Sequence, residues 1–383
     1  MNTEFIIDDT IVKLSLPKSA DEEMLIKSVP YNYTVNFISE QELKTELSKL
    51  SDHNKSKHFI YIDKIVNGLY GKTLLANQQT SLIEAQEKNK NLATAMKLVD
   101  VLQENNFTKK EILVSMGGGI TQDITAFARA VFKRGINWVY FPTTLLSMAD
   151  SSIGAKSCLN YKGVKNQLGL FSSPQKVFIC TNLLKTLDKR DVLSGYGEII
   201  KLVIVGGQGA IDQFHKHTST QKEDKLHNIN LLIQLSLSVK NAVIELDEFE
   251  ANIRKALNYG HTVGHAIEPL VKYKIPHGIA ISIGMLIENE IACAYGSLSK
   301  DEVLSLKKMI MPYIDDQSIA YLKKISINDI IDNMKKDKKN MSDEIFLAVP
   351  LAIGKFGILK VAVDNKIAEL LHSSINDLIG ERE

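Results

Sequence analysis

Hydrophobic and polar positions follow two different periods along the chain, and the balance between them changes near residue 186. In the first half, β-rich runs such as His58-Phe-Ile-Tyr-Ile and Trp138-Val-Tyr-Phe alternate with stretches whose apolar spacing is near 3.6, such as residues 92–105. Alternating strands and helices of this kind are typical of a parallel sheet with helices on both faces. We therefore predict an α/β domain in the first half.

Long amphipathic stretches dominate the second half, with few β-rich runs between them. They span residues 192–205, 229–245, 252–271 and 279–295. We predict a mostly helical second domain and divide the chain into domains 1–185 and 186–383. Residues 1–30 have no strong periodicity and form an arm or an extra strand in this interpretation. The cleft between two such domains is the default place for an active site.

Charge and cysteine content narrow the class of protein. The 46 Lys and Arg residues nearly balance the 45 Asp and Glu residues, so we expect no nucleic-acid or membrane partner. Three scattered cysteines argue against a disulfide framework and against a cysteine zinc site. The most apolar stretch, residues 278–287, is too short to span a bilayer. We expect a reduced, cytoplasmic protein.

A glycine-rich turn stands where a predicted strand leads into a predicted helix. Gly117, Gly118 and Gly119 would let backbone N–H groups approach a phosphate, and Asp123 could accept hydrogen bonds from a ribose or an amide. The turn does not match the Gly-x-Gly-x-x-Gly pattern of ordinary dinucleotide-binding domains. Nucleotide binding and a purely structural tight turn both remain open at this point.

Three of the nine histidines fall within residues 261–277. His261 and His265 are spaced i, i+4 and so share one helical face, and His277 follows after a proline. Imidazoles together with a carboxylate suit a divalent metal, and Glu198 is a candidate carboxylate. The alternative is that one or more of these histidines belong to the core or the surface.

Five cationic residues stand in apolar or Gly/Asn-rich surroundings instead of in charged runs. They are Lys156, Lys165, Lys201, Lys240 and Arg254. Buried cations are costly unless they are paired, and an anionic substrate with a phosphate and a carboxylate would supply partners. Any one of the lysines could be structural, but the set predicts such a substrate.

Ten blocks in the same order and at closely matching spacing resemble the 3-dehydroquinate synthases, a family of sugar-phosphate cyclases. The resemblance covers about residues 58–360. The blocks are Gly117-Gly-Gly-Ile-Thr-Gln-Asp123, Phe132-Lys-Arg134-Gly, Pro142-Thr-Thr-Leu-Leu, Asp150-Ser-Ser-Ile-Gly-Ala-Lys156, Lys165-Asn166, Thr186-Leu, Gly197-Glu198-Ile-Ile-Lys201, Arg254-Lys-Ala-Leu-Asn258-Tyr-Gly-His261-Thr-Val-Gly-His265, Pro276-His277-Gly and Asp337-Lys-Lys.

The resemblance implies a Rossmann-like NAD-binding domain, a helical metal- and substrate-binding domain and, usually, a homodimer. It implies zinc, or cobalt, held by Glu198, His261 and His277, with His265 facing the substrate. Positions that match NAD contacts are Glu87, Lys90, Gly118, Gly119, Asp123, Thr143, Thr144, Lys165 and Thr186. Positions that match substrate contacts are Asp150, Lys156, Asn166, Lys201, Lys240, Arg254, Asn258 and either Lys338 or Lys339. Arg134 matches a residue that reaches across the dimer interface.

The activity implied is conversion of 3-deoxy-D-arabino-heptulosonate 7-phosphate into 3-dehydroquinate and phosphate. It proceeds by transient oxidation with NAD, phosphate elimination, re-reduction and an intramolecular aldol step. Arg254 and Asn258 favour this substrate, because sedoheptulose 7-phosphate and glucose 6-phosphate, the substrates of sibling cyclases, have no carboxylate. An arginine without a carboxylate would be an unpaired cation in a dry site. Whether the pathway is central aromatic biosynthesis or a specialised one stays open.

Four positions depart from the family pattern. Gln86, Gln122, Ala155 and Val164 stand where the family has glycine, and a side chain there narrows the approach of backbone to ligand. A divergent cyclase with another sugar phosphate is therefore one alternative. A metal- and NAD-dependent polyol dehydrogenase of related fold is another, although the lysine set argues against it. A non-catalytic binding protein is the third.

Overall fold

The computed structural model describes residues 2–17, 23–29, 31–50, 58–76, 78–219, 224–335 and 344–381. Its contacts divide the chain into two compact units, Ser19–Leu187 and Met1–Lys18 with Asp188–Glu383. The break at Leu187 lies close to the boundary expected from the sequence. The first residues of the chain differ from the expectation, because they belong to the second unit and not to the first.

The strands are β1 (Asn2–Ile7), β2 (Thr10–Ser15), β3 (Met24–Ile26), β4 (Tyr33–Phe37), β5 (His58–Asp63), β6 (Thr80–Ile83), β7 (Ile112–Gly117), β8 (Asn137–Pro142), β9 (Lys156–Tyr161), β10 (Val164–Phe171), β11 (Lys176–Ile179), β12 (Glu344–Ala352) and β13 (Lys355–Ala362). The α-helices are α1 (Glu40–Leu50), α2 (Lys64–Leu74), α3 (Leu92–Glu104), α4 (Gly119–Val131), α5 (Lys189–Val205), α6 (Gly207–Thr218), α7 (Ile229–Ile244), α8 (His261–Leu270), α9 (His277–Ala294), α10 (Lys300–Ile310), α11 (Asp316–Leu322), α12 (Ile327–Lys335) and α13 (Asn365–Gly380).

The unit Ser19–Leu187 is built on a seven-stranded sheet in the order β3-β4-β11-β8-β7-β5-β6. Every neighbouring pair is parallel except β3 with β4. The strands β5, β7 and β8 are buried almost throughout, as a sheet covered on both faces requires. This confirms the predicted α/β domain. Strands β9 and β10 form a separate antiparallel hairpin.

The second unit confirms the predicted helical domain, and α9 lies in its core. This helix packs against α5, α8, α10 and α13, and most of its residues are buried. The apolar stretch 278–287 therefore lies within a core helix. Among the described residues, no helix is long and apolar enough to cross a membrane.

A four-stranded sheet in the second unit departs from the prediction of few strands there. Its order is β12-β13-β1-β2, with β1 parallel to β13 and antiparallel to β2. The alternating burial of Val12 and Leu14 on β2 gives this strand one core-facing side. Because β1 pairs with a strand near the other end of the chain, no local pattern could assign residues 2–15 to this unit.

Candidate functional site

Four side chains of the kinds that can bind a metal ion converge in the helical unit, from three helices. His261 and His265 lie on α8, His277 begins α9 and Glu198 lies on α5. Ligand atoms of the three histidines all lie within 4.8 Å of one another. The Glu198 Oε1 atom lies 3.2 Å from His277 Nε2 and 3.8 Å from His261 Nε2. The structure therefore brings together the three predicted metal ligands, Glu198, His261 and His277, and the predicted substrate-facing residue His265.

Glycines allow these helices to approach closely enough for the cluster to form. A Cβ atom at Gly197, beside Glu198, would lie 2.0 Å from the carbonyl oxygen of Gly278, beside His277. A Cβ atom at Gly284 on α9 would lie 2.0 Å from the carbonyl oxygen of Gly260, which precedes His261. Real Cβ atoms cannot approach so closely, so α5 and α8 contact α9 backbone to backbone.

The second ring nitrogen of two imidazoles has a fixed partner. His261 Nδ1 lies 3.1 Å from the carbonyl oxygen of Tyr259, and His277 Nδ1 lies 3.3 Å from Oε1 of Glu268. A partner at Nδ1 selects the tautomer whose Nε2 lone pair is available to a metal. Both Nε2 atoms thus face the carboxylate of Glu198.

The charges around the cluster favour a cation. Burial alone would lower the pKa of His277, but the carboxylates of Glu268 and Glu198 outweigh it and raise the pKa to about 9. Burial, Lys201 and the neighbouring histidines hold the pKa of His261 well below its usual value. The cluster thus combines a neutral imidazole with a position that attracts positive charge. Nitrogen and carboxylate donors of this kind suit zinc or a similar divalent ion.

The other predicted substrate residues of the helical unit that the structure describes lie on α5, α7 and a 3-10 helix, Ile253–Asn258. Lys201 is buried and forms an ion pair with Glu198, and Lys240 is buried on α7. Arg254 is 2% exposed and donates to the carbonyl oxygen of Glu248.

Asp247, a residue that the sequence argument missed, anchors this 3-10 helix. Its carboxylate accepts hydrogen bonds from the backbone N–H groups of Ala251, Asn252 and Arg254 at 2.8–3.0 Å. Burial would raise the pKa of Asp247, but these bonds and the Arg254 charge lower it. Within the same loop, Asn258 donates to Glu250 at 2.7 Å.

The predicted NAD residues of the α/β unit follow the carboxyl ends of its strands. Glu87 comes after β6, Asp123 lies on α4 after β7, Thr143 and Thr144 follow β8, and Thr186 comes after β11. In open α/β sheets, ligands bind at this edge. The turn Gly118-Gly119 leads directly into α4, and the backbone N–H of Thr143 donates to Gly117 at 3.0 Å. Thr186 shares a hydrogen bond of 2.8 Å with Tyr70.

A polar network joins four of the predicted residues, Glu87, Lys90, Asp123 and Asn166. The Lys90 ammonium lies 2.6 Å from Asp123 and donates to Asn166 at 2.9 Å. Asp123 raises the pKa of Lys90 although burial opposes it. Asn160, which was not predicted from the sequence, connects two members of the network. Its side-chain N–H donates to the Glu87 carboxylate at 2.7 Å, and its side-chain oxygen accepts from the backbone N–H of Asn166 at 3.0 Å.

The remaining predicted residues of the α/β unit lie on its turns and on β9 and β10, and two predicted lysines lie outside the described residues. Asp150 is half-buried on a π-helical turn, Lys156 is exposed at the start of β9 and Lys165 is half-buried on β10. Arg134 is exposed and has a positive φ of 62°. Lys338 and Lys339 lie outside the described residues.

The four positions without the family glycine differ in backbone conformation. Only Ala155 has a positive φ, of 58°, whereas Gln86, Gln122 and Val164 do not. The Gln122 side chain donates to the Ser151 carbonyl and accepts from the Ser151 hydroxyl, each at 2.7 Å. It therefore links α4 to the turn that carries Asp150.

Comparison with known proteins identifies the family. The family model described as 3-dehydroquinate synthase N-terminal matches residues 80–194, and the C-terminal one matches residues 195–340. A 3-dehydroquinate synthase of Prochlorococcus marinus (strain MIT 9215) is 35% identical over 85% of this chain and 90% of its own.

Two solved structures share the fold at lower identity. One is 2-deoxy-scyllo-inosose synthase complexed with carbaglucose-6-phosphate, NAD+ and Co2+, with a TM-score of 0.75 and 20% identity, covering 93% of this chain and 99% of that one. The other is 2-epi-5-epi-valiolone synthase from Streptomyces hygroscopicus with NAD+ and Zn2+ bound, with a TM-score of 0.73 and 23% identity, covering 94% and 99%. Two family models in sequence and a relative at 35% identity lead to one conclusion: the chain belongs to the 3-dehydroquinate synthase family.

Proposed function

We propose that this protein converts 3-deoxy-D-arabino-heptulosonate 7-phosphate into 3-dehydroquinate and phosphate, with NAD and a divalent metal, zinc or cobalt. The observation that carries the proposal is the convergence of Glu198, His261, His265 and His277 in a chain of this family. The solved relatives that contain NAD+ with Zn2+ or Co2+ support both cofactors.

The metal would be held by Glu198, His261 and His277, with His265 beside it. When bound, NAD supplies a transient oxidation by taking and returning a hydride, and the metal polarises the substrate oxygens. The residues of the chain set the orientation of the imidazoles and the charge around the metal. Nδ1 partners orient two imidazoles, and Lys201 neutralises part of the Glu198 charge.

Arg254 and Asn258 would bind the substrate carboxylate. A guanidinium gives two parallel N–H bonds to a carboxylate, and burial strengthens them. Asp247 holds the backbone of Arg254, so the group is positioned before the substrate arrives. We assign the remaining predicted lysines, Lys156, Lys240 and one of Lys338 and Lys339, to the anionic groups of the substrate.

We also propose that the ion pair of Lys90 and Asp123, whose charged atoms lie 2.6 Å apart, contacts NAD. The other proposed NAD contacts are Glu87, Gly118, Gly119, Thr143, Thr144, Lys165 and Thr186. Asp150 and Asn166 complete the proposed substrate contacts. The proposed assembly is a homodimer in the cytoplasm, in which Arg134 contacts the site of the partner, and no nucleic acid or membrane takes part.

The test is phosphate release from three sugar phosphates by purified protein with NAD and Zn²⁺. We expect release from 3-deoxy-D-arabino-heptulosonate 7-phosphate, formation of 3-dehydroquinate and no net NADH. Release only from sedoheptulose 7-phosphate or glucose 6-phosphate would assign a sibling cyclase, and net NADH with a polyol would assign a dehydrogenase. As a matched control, Arg254→Gln should raise KM for the carboxylate-bearing substrate, whereas Lys255→Gln on the exposed neighbouring position should not.

A further inference from the structure

A buried carboxylate that the proposed reaction does not use holds the start of α8. Glu288 on α9 has no exposed surface and accepts hydrogen bonds from the backbone N–H groups of Gly260 at 2.7 Å and Val263 at 3.1 Å. These two residues flank His261. Burying a carboxylate is costly, and the N–H groups at a helix N-terminus are well suited to compensate for that cost.

The next residue of α9 fixes the other side of the same segment. The Tyr259 hydroxyl donates to Asn289 Oδ1 at 2.6 Å, and both side chains are buried. The Tyr259 carbonyl oxygen is the partner of His261 Nδ1 at 3.1 Å. Two consecutive side chains of α9 therefore hold both the backbone around His261 and the oxygen that sets its tautomer.

The same helix begins with His277. Helix α9 thus fixes the positions of both histidines. It carries His277 itself, and it holds the segment around His261 through Glu288 and Asn289. A rigid element that carries one ligand and clamps the segment of another can fix the separation of the two imidazoles. Glu198 Oε1 lies within 3.8 Å of both Nε2 atoms in this arrangement.

We propose that Glu288 and Asn289 together are positioning residues for the metal centre, because they hold His261 in register with His277 and Glu198. The inference rests on the proposed function only through the existence of that centre. Loss of a supporting group of this kind typically weakens metal binding by about 10- to 100-fold.

The experiment is a Co²⁺ titration of metal-free protein, followed by the visible absorption of bound Co²⁺. We expect Glu288→Gln to weaken Co²⁺ binding about 10- to 100-fold and to change the absorption bands. Glu290→Gln is the matched control, because Glu290 lies on the same helix but its carboxylate interacts with the charges of Lys307 on α10 and Asp377 on α13, and the variant should bind Co²⁺ as the wild type does.

Thermal unfolding of the metal-free proteins separates positioning from general stability. If Glu288→Gln lowers Tm but its folded form binds Co²⁺ with wild-type affinity and spectrum, the proposal is overturned. Should Glu288→Gln fail to fold, Tyr259→Phe decides the question, since it removes only the hydroxyl bonded to Asn289. We expect it to weaken Co²⁺ binding about threefold to tenfold, as the loss of one neutral hydrogen bond would, and unchanged binding would overturn the proposal.

The wild-type titration distinguishes this inference from the proposed function. A wild-type protein that binds no Co²⁺ would overturn the metal centre itself. A wild-type protein that binds Co²⁺, with both variants unaffected, would overturn only the positioning role.

Discussion

The two units hold their buried charges in opposite ways. In the helical unit, three imidazoles and the Glu198 carboxylate converge, and the raised pKa of His277 indicates that the cluster attracts positive charge. In the α/β unit, the Lys90 ammonium already lies 2.6 Å from the Asp123 carboxylate. A bound cation would stabilise the first arrangement. A ligand that binds to the second must share Lys90 or Asp123 with the existing ion pair or replace one of them.

The two units also differ in how much room their backbones leave for side chains at glycine positions. Close helix contacts at Gly197 with Gly278 and at Gly260 with Gly284 leave no room for a side chain. The α/β unit, in contrast, accepts Gln122 and Ala155 where the family has glycine. The helix contacts beside the histidine cluster therefore exclude side chains, whereas two positions of the α/β unit accept a side chain where the family has glycine.

The largest effect is expected from breaking the cation-attracting cluster. His277→Ala removes one donor and the group that both carboxylates face, so we expect loss of bound zinc and a fall in phosphate release of about 10³-fold or more. Elemental analysis and a phosphate assay measure the two effects. The control His372→Ala, at an exposed position of α13, should retain both, and a His277→Ala protein with full zinc content would contradict the proposed ligand set.

A smaller effect is expected from separating the ion pair of the α/β unit. Asp123→Asn removes the main charged partner of the Lys90 ammonium and leaves the weaker interaction with Glu87. We expect a loss of about 2 kcal/mol in the free energy of unfolding, less than for a fully buried pair, because both side chains keep some exposure (12% and 17%). Urea unfolding of Lys90→Met, Asp123→Asn and the double variant gives the coupling. The NAD affinity of each variant should fall as well.

The pH dependence of that coupling has a definite sign. Burial would lower the pKa of Lys90, but Asp123 raises it above its ordinary value of 10.5, so the Lys90 contribution is present below pH 10.5 and is lost as the pH rises through the raised pKa. Burial raises the pKa of Asp123, so the coupling is also lost at low pH, once that carboxylate is protonated. The exposed pair Lys64 and Glu84 provides the matched control, with little coupling at any pH. Equal coupling in the two pairs would contradict the contrast between them.

The smallest effect concerns the divergent α/β edge. Ala155→Gly relieves a left-handed conformation at φ 58°, and we expect the free energy of unfolding to rise by about 1 kcal/mol. Val164→Gly should have the opposite sign, because Val164 has an ordinary strand conformation and glycine only adds unfolded-state freedom. Thermal or urea unfolding measures both, and a destabilised Ala155→Gly would refute the account of strain.

The local elements were predictable from periodicity because a helix or strand shows its buried face in its own residues. The predicted helix at residues 92–105 corresponds to α3, and the run that begins at Trp138 corresponds to β8. The buried supports Asp247, Glu268 and Glu288 were not predicted. A lone carboxylate in a helical stretch does not reveal in the sequence whether it faces solvent or a neighbouring backbone N–H.

The sequence by itself determined that His261 and His265 share a helical face, that a glycine turn follows a strand, and that the motifs resemble one family. These features depend on spacings of a few residues. Only the tertiary structure decided that Glu198 reaches two imidazoles, that α9 fixes His261 through Glu288 and Asn289, and that β1 pairs with β13. Each of these contacts joins segments distant in sequence, and their geometry is set by how closely two backbones pack, which no local pattern records.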